Sequence, residues 1–199
     1  LSTKGEDVLA GPLAHSPRAV LERVNERILA DTRERIFITM IFAILDLSRR
    51  TLTFARAGHE PLVAFSRTDG GVRLLAPDGI ALGLVDSHLF SLIRDMEVPL
   101  NDGDIAVLYT DGMIEAMDER GREYGQERLL DMLRTHVETS AEDLVHTFLT
   151  DVRHFTRGQR QSDDVTLVVL KFDQLARCAE ALAHSDSSGL CSAGPGELP

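Results

Sequence analysis

Cysteine is scarce in this 199-residue chain: Cys178 and Cys191 are the only two, and both stand in the last stretch with no histidine cluster beside them. Neither a zinc site nor a structural disulfide is suggested. Long hydrophobic runs are also lacking. The longest, IFITMIFAIL at 36–45, is too short to span a bilayer, and residues 1–10 have neither the basic start nor the apolar centre of a secretory signal. The chain reads as cytoplasmic. Positive charge is in deficit, since 21 Lys and Arg against 32 Asp and Glu give a formal charge of −11. A surface of that sign makes a nucleic-acid backbone or an anionic membrane a poor partner and suits cations. No repeat recurs at a fixed period.

What is present is an ordinary globular composition, 43% hydrophobic, in a length that suits one domain with a sizeable core. Residues 1–15 read as irregular, interrupted by Gly5, Gly11 and Pro12. A helix starts at Ser16 as N-cap with Pro17 in its first turn, and Val20, Val24 and Ile28 give it an apolar face. Six strand candidates follow: FITMIFAILD, TLTFARA, PLVAFS, VRLL, FSLIRDMEV and DIAVLYT. The links LSRRT (47–51) and RTDGG (67–71) suit hairpins, hence antiparallel pairing. Two helices come next, one near 125–135 and one from Ser140, where Asp143 forms a capping box and Leu144, Phe148, Val152 and Phe155 share a face. VTLVVLKF is the last strand. Strands in a block and helices in a block predict an α+β fold with helices on the faces of an antiparallel sheet. The domain is expected at 16–172. Residues 173–199 read as a flexible tail with a short helix near 174–184, because their composition buries too little apolar surface to offset the entropy of ordering.

Three carboxylates stand at strand ends. In VLYTDGMIEA (107–116) a buried run stops at Asp111, and Gly112 lets the backbone turn sharply or approach a ligand closely. In SDDVTLVVL (162–170) Asp163 and Asp164 precede another buried run. If the two strands are antiparallel neighbours, these carboxylates converge at one rim, and like charges so close need a cation or a shared proton. Oxygen-only ligands select Mg²⁺, Mn²⁺ or Ca²⁺ over zinc. The alternative is that Asp-Gly is a plain turn and Asp-Asp a solvated loop. A haloacid-dehalogenase reading of TDGMIEA fails, since the nucleophilic Asp would stand where Tyr109 does.

Four segments in order, FITMIFAILDLSRRTLTFARAGHEPLV, PDGIALGLVD, LNDGDIAVLYTDGMIEAMDERGREYGQERL and QSDDVTLVVLKF, resemble the landmarks of the metal-dependent PPM serine/threonine phosphatases, in their bacterial SpoIIE-type branch. The resemblance covers about residues 17–172. It implies an αββα sandwich of antiparallel sheets flanked by helices, with two Mn²⁺ or Mg²⁺ ions at the rim between the sheets. It implies metal ligation by Asp111 and Asp163, with Gly112 and Asp164 beside them. It implies hydrolysis of phosphoserine or phosphothreonine on a regulatory protein of the anti-sigma-factor-antagonist type, within partner-switching signalling. The alternative is an inactive domain of the same fold that docks such a protein without hydrolysing it.

The family opens its site with an acidic residue on an early strand and an Asp followed by Gly-His-Gly, and residues 1–36 contain no match. Asp7 has no such sequel, and Asp31 ends a helix. The expectation is therefore either a truncated phosphatase or a natural domain that has lost its bridging ligand, with N-terminal edge strands missing. Other residues draw lesser readings. His59 and Glu60 in AGHEP sit in a hairpin turn, more structural than catalytic. LNDGD (100–104) lacks the bidentate Glu of a calcium loop and reads as the turn feeding the 104–110 strand. RERI (33–36) and RHFTRGQRQ (153–161) hold the densest positive charge and read as solvated helix ends, or in the latter case as an Arg clamp for phosphate. Asp118, Glu119 and Arg120, between hinges Gly121 and Gly125, resemble a flap loop open to a protein substrate.

Overall fold

A computed structural model describes residues 16–31, 36–159 and 163–173. The irregular start, the tail with its expected helix, and both cysteines lie outside the described residues.

Helix α1 (Pro17–Asp31) begins where the sequence predicts. Ser16 Oγ accepts from the Ala19 amide at 3.2 Å and donates to Asp95 Oδ2 at 2.7 Å, tying the helix start to a loop 79 residues away. The buried face, however, centres on Pro17, Leu21 and Asn25, with Val24 and Ile28 only partly covered. Asn25 is why periodicity misplaced it. Its fully buried amide donates to Val85 O at 3.1 Å and accepts from the Gly83 amide at 2.8 Å, a polar anchor that an apolar pattern cannot register.

Two antiparallel sheets follow. The first has the order β1 (Met40–Asp46), β2 (Thr51–Ala57), β5 (Met96–Pro99); the second runs β4 (Val72–Leu75), β3 (Leu62–Phe65), β6 (Asp104–Tyr109), β7 (Leu167–Phe172). Both predicted hairpins form, at β1–β2 and β3–β4. The segment FSLIRDMEV is not one strand. Asp86 caps a single helical turn, α2 (Ser87–Phe90), by accepting from the Leu89 amide, and only Met96 to Pro99 pair as β5. Phe90 and Ile93 are instead buried beneath α1.

Short α3 (Asp111–Ile114) follows β6, and α4 (Gln126–His136) and α5 (Ala141–Thr156) cover the second sheet. Ser140 caps α5 as expected, accepting from the Asp143 amide at 3.0 Å. The layers are bonded by three apolar clusters. Leu21 meets Ala55, Ala57 and Leu82 between α1 and the first sheet; Leu52 and Phe54 meet Leu62 and Ala106 between the sheets; Val63, Val107 and Tyr109 meet Leu129, Leu133, Leu144 and Phe148 beneath α4 and α5. This is the α–β–β–α stacking anticipated from the sequence. The LNDGD turn also behaves as read. Asp104 is buried at the head of β6 and accepts from the Arg67 amide at 2.7 Å and the Asn101 amide at 2.8 Å, which turns the chain into the strand. Among the described residues no helix is long and apolar enough to cross a membrane.

Candidate active site

β6 and β7 are antiparallel neighbours, with Tyr109 opposite Leu167, so the end of one lies beside the start of the other. Pairing continues one step past the strands. The Thr110 amide donates to Thr166 O at 3.1 Å, the Thr166 amide donates to Thr110 Oγ1 at 2.9 Å, and that hydroxyl donates to Asp164 O at 3.0 Å. Thr110 thus holds the two approaching loops by both its backbone and its side chain.

Gly112 then closes the gap. It is buried, and a Cβ built on it would lie 2.6 Å from Asp164 O and 3.3 Å from the Asp163 carbonyl carbon, so only glycine admits the Asp163–Asp164 backbone. Asp111, Asp163 and Asp164 are all exposed around this contact. Asp111 Oδ1 accepts from the Gly112 amide at 2.9 Å, and Asp163 Oδ1 from the Asp164 amide at 2.7 Å. The backbones that carry the three carboxylates meet as the antiparallel pairing predicts.

A second turn faces the same rim. β2 leads into Gly58 (φ 69°), whose Cβ would meet the Ala81 amide nitrogen at 2.9 Å, and a Cβ on Gly79 would overlap Arg56 O. The AGHEP turn and the PDGIALG loop are therefore packed backbone to backbone. Arg56 locks them, donating from Nε to Pro77 O at 3.1 Å and from Nη1 to His59 O at 2.7 Å. Burial pushes the His59 pKa down, against a pull upward from the Asp111 charge, while Thr39 Oγ1 stands 3.5 Å from its Nδ1. Burial pushes Glu60 up, the negative charges of Asp111 and Glu115 add to that, and Arg56 opposes it. His59 and Glu60 are thus electrostatic neighbours of Asp111.

Glu115 escaped the sequence reading. Its four-residue spacing from Asp111, one turn along α3, was the available signal. Negative potential gathers at this rim, and its donors are carboxylate oxygens, a chemistry that fits Mn²⁺ or Mg²⁺. Among the described residues no three His, Cys, Asp or Glu side chains stand close enough to hold an ion, so the donor set is partial.

The flap candidate is a self-bonded turn. Asp118 accepts from the amides of Arg120 at 2.8 Å and Arg122 at 2.9 Å and from Arg122 Nε at 2.8 Å. The Arg122 amide bond comes first in holding its carboxyl down to about 2. Gly121 (φ 71°) allows the reversal.

Comparison with known proteins agrees with this geometry. The family described as Stage II sporulation protein E (SpoIIE) matches residues 8–173. The phosphoserine phosphatase RsbU of Bacillus subtilis (strain 168) is 28% identical over 155 residues, 78% of this chain and 45% of RsbU. RsbP of the same organism, also named a phosphoserine phosphatase, is 25% identical over 160 residues, 78% of this chain and 37% of its own. The chain thus spans less than half the length of these relatives. Among solved structures, the SiaA-PP2C domain of Pseudomonas aeruginosa superposes with a TM-score of 0.70 at 27% identity, over 83% of this chain and 64% of that one. The phosphatase domain of the Bacillus subtilis cell fate determinant SpoIIE shares the fold, with a TM-score of 0.53 at 18% identity over 77% of this chain and 74% of that one. With four sequence landmarks meeting in one two-sheet sandwich and the family match running almost from end to end of it, the chain belongs to the SpoIIE family of PP2C-type phosphatase domains.

Proposed function

We propose that this domain is a metal-dependent protein phosphatase that hydrolyses phosphoserine or phosphothreonine on a regulatory protein of the anti-sigma-factor-antagonist type, in cytoplasmic partner-switching signalling. The observation that carries the reading is the Gly112 contact, which puts Asp111 and the Asp163–Asp164 pair on one exposed rim. The names of RsbU and RsbP support the reaction class.

Asp111, Asp163 and Asp164 would hold Mn²⁺ or Mg²⁺, which when bound supplies an activated water and offsets phosphoryl charge. The chain's own residues prepare that place. Thr110 and Gly112 fix the separation of the two acidic loops, and Arg56 fixes the His59–Glu60 turn opposite. Acidic loops whose backbones meet at Gly112 gather negative charge on one side, which favours a cation there. The domain is proposed at 16–172, with segments 1–15 and 173–199 outside it.

A docking module without hydrolysis is the second reading, and the partial donor set favours it. Phosphate release from a phosphoserine peptide, with and without Mn²⁺, separates the two. Release that needs Mn²⁺ and disappears in both Asp111→Asn and Asp163→Asn supports the phosphatase. Absence of release, with a phosphorylated regulatory protein still bound, supports the docking module.

A further inference from the structure

Against a chain charge of −11, one concavity of about 350 Å³ is lined by Arg120, Arg122, Arg128, Arg157 and His154, with Asp118 and Glu119 as its acids. It lies between the 117–125 turn and the C-terminal end of α5, and none of its lining residues belongs to the Asp111 rim.

Its floor is rigid. Arg128 donates from Nε and one terminal nitrogen to both oxygens of Asp151, each at 2.7 Å, and its guanidinium lies 5.2 Å from the Tyr124 ring centroid and 5.0 Å from that of Phe155. Tyr124 OH donates to the same carboxylate at 2.8 Å, and the two rings meet edge to face at 5.5 Å. The rim is open by contrast. Arg120 makes no ion pair among the described residues, and Arg157, in the left-handed conformation that ends α5, reaches Glu119 only at 3.4 Å and stays 71% exposed. Arg122 is fastened to Asp118, and that bond also shapes the turn which carries Arg120.

A planar guanidinium held by stacking and a carboxylate fork, with Arg120 outside any ion pair among the described residues and Arg157 only loosely paired beside it, is arranged to receive carboxylates. We propose that this concavity is a docking site for an acidic segment of the protein that the domain acts on, a site separate from the Asp111 rim where the phosphorylated residue would lie. The assignment rests on the phosphoprotein reading above only for the identity of the partner. Local positive charge on an otherwise anionic surface steers an acidic partner to one orientation, giving specificity in addition to any affinity.

The test is fluorescence anisotropy of a labelled Asp- and Glu-rich peptide on the purified chain. Binding at low salt is expected to weaken about tenfold or more in Arg120→Glu/Arg157→Glu, and to fade as salt shortens the screening length. Arg120→Ala/Arg157→Ala, checked by thermal midpoint for folding, is expected to weaken it less. Asp111→Asn is expected to leave it intact while removing hydrolysis, so a chain that binds the peptide but never hydrolyses a phosphoserine peptide refutes the phosphatase reading and not the docking site. Equal binding by the wild type and both folded double variants, no binding by the wild type, or binding of inorganic phosphate alone overturns the proposal.

Discussion

At the scale of single residues, the site depends most on a side chain that is missing. Gly112 has an ordinary helical place at the start of α3, so its need for glycine comes from outside: the Asp163–Asp164 backbone occupies the space of its Cβ. Gly112→Ala should therefore separate the two acidic loops and strain the Thr110 bonds. We expect a loss of about 1–3 kcal/mol in urea unfolding, typical of overpacking, and a weaker Mn²⁺ response. A variant as stable and as responsive as the wild type would show that the loops have room to part. Thr110 illustrates the same dependence, since its hydroxyl accepts from the Thr166 amide just ahead of β7 and donates to Asp164 O in the acidic loop.

At the scale of elements, α4 and α5 are joined by the Arg128–Asp151 fork as well as by apolar contact. The Arg128 hydrogen bonds hold the Asp151 carboxyl below its usual range, with Tyr124 adding to the effect. A carboxyl depressed on folding contributes stability that is fully present above its unfolded pKa, about 3.9, and is lost as pH falls through the lower folded value. Urea midpoints of wild type and Asp151→Asn should therefore differ at pH 6 and draw together below about pH 4. A constant gap would mean the fork contributes through packing alone. The hairpins, the Ser140 cap and the strand β6 were legible in the sequence because short-range chemistry decides them: turn residues, a capping hydroxyl, an unbroken apolar run. The face of α1 and the helical turn α2 were not, because Asn25 and Asp86 act through bonds to particular backbone groups. The carboxylate rim was legible in outline, from the antiparallel geometry of two strands. Glu60 and Glu115 joined it only through tertiary packing, which brings the turn after β2 across to α3.

At the scale of the whole molecule, two sheets with helices outside them leave the loops at one end free to carry chemistry, as scaffolds of this kind do. The strongly negative chain gathers Asp111, Asp163, Asp164, Glu60 and Glu115 at that end and keeps an arginine-lined hollow apart from them. The central claim is that the strand-end carboxylates act together on a divalent cation. A thermal unfolding series with rising Mn²⁺ addresses it most directly, because a ligand bound only by the folded state adds stability as its concentration rises. At about a hundredfold excess over its dissociation constant the gain is about 2.7 kcal/mol, which is about 5–10 °C for a domain of this size. The account predicts that rise for the wild type, and its loss in Asp111→Asn and in Asp163→Asn with the metal-free midpoints nearly unchanged. An equal rise in all three proteins would contradict it.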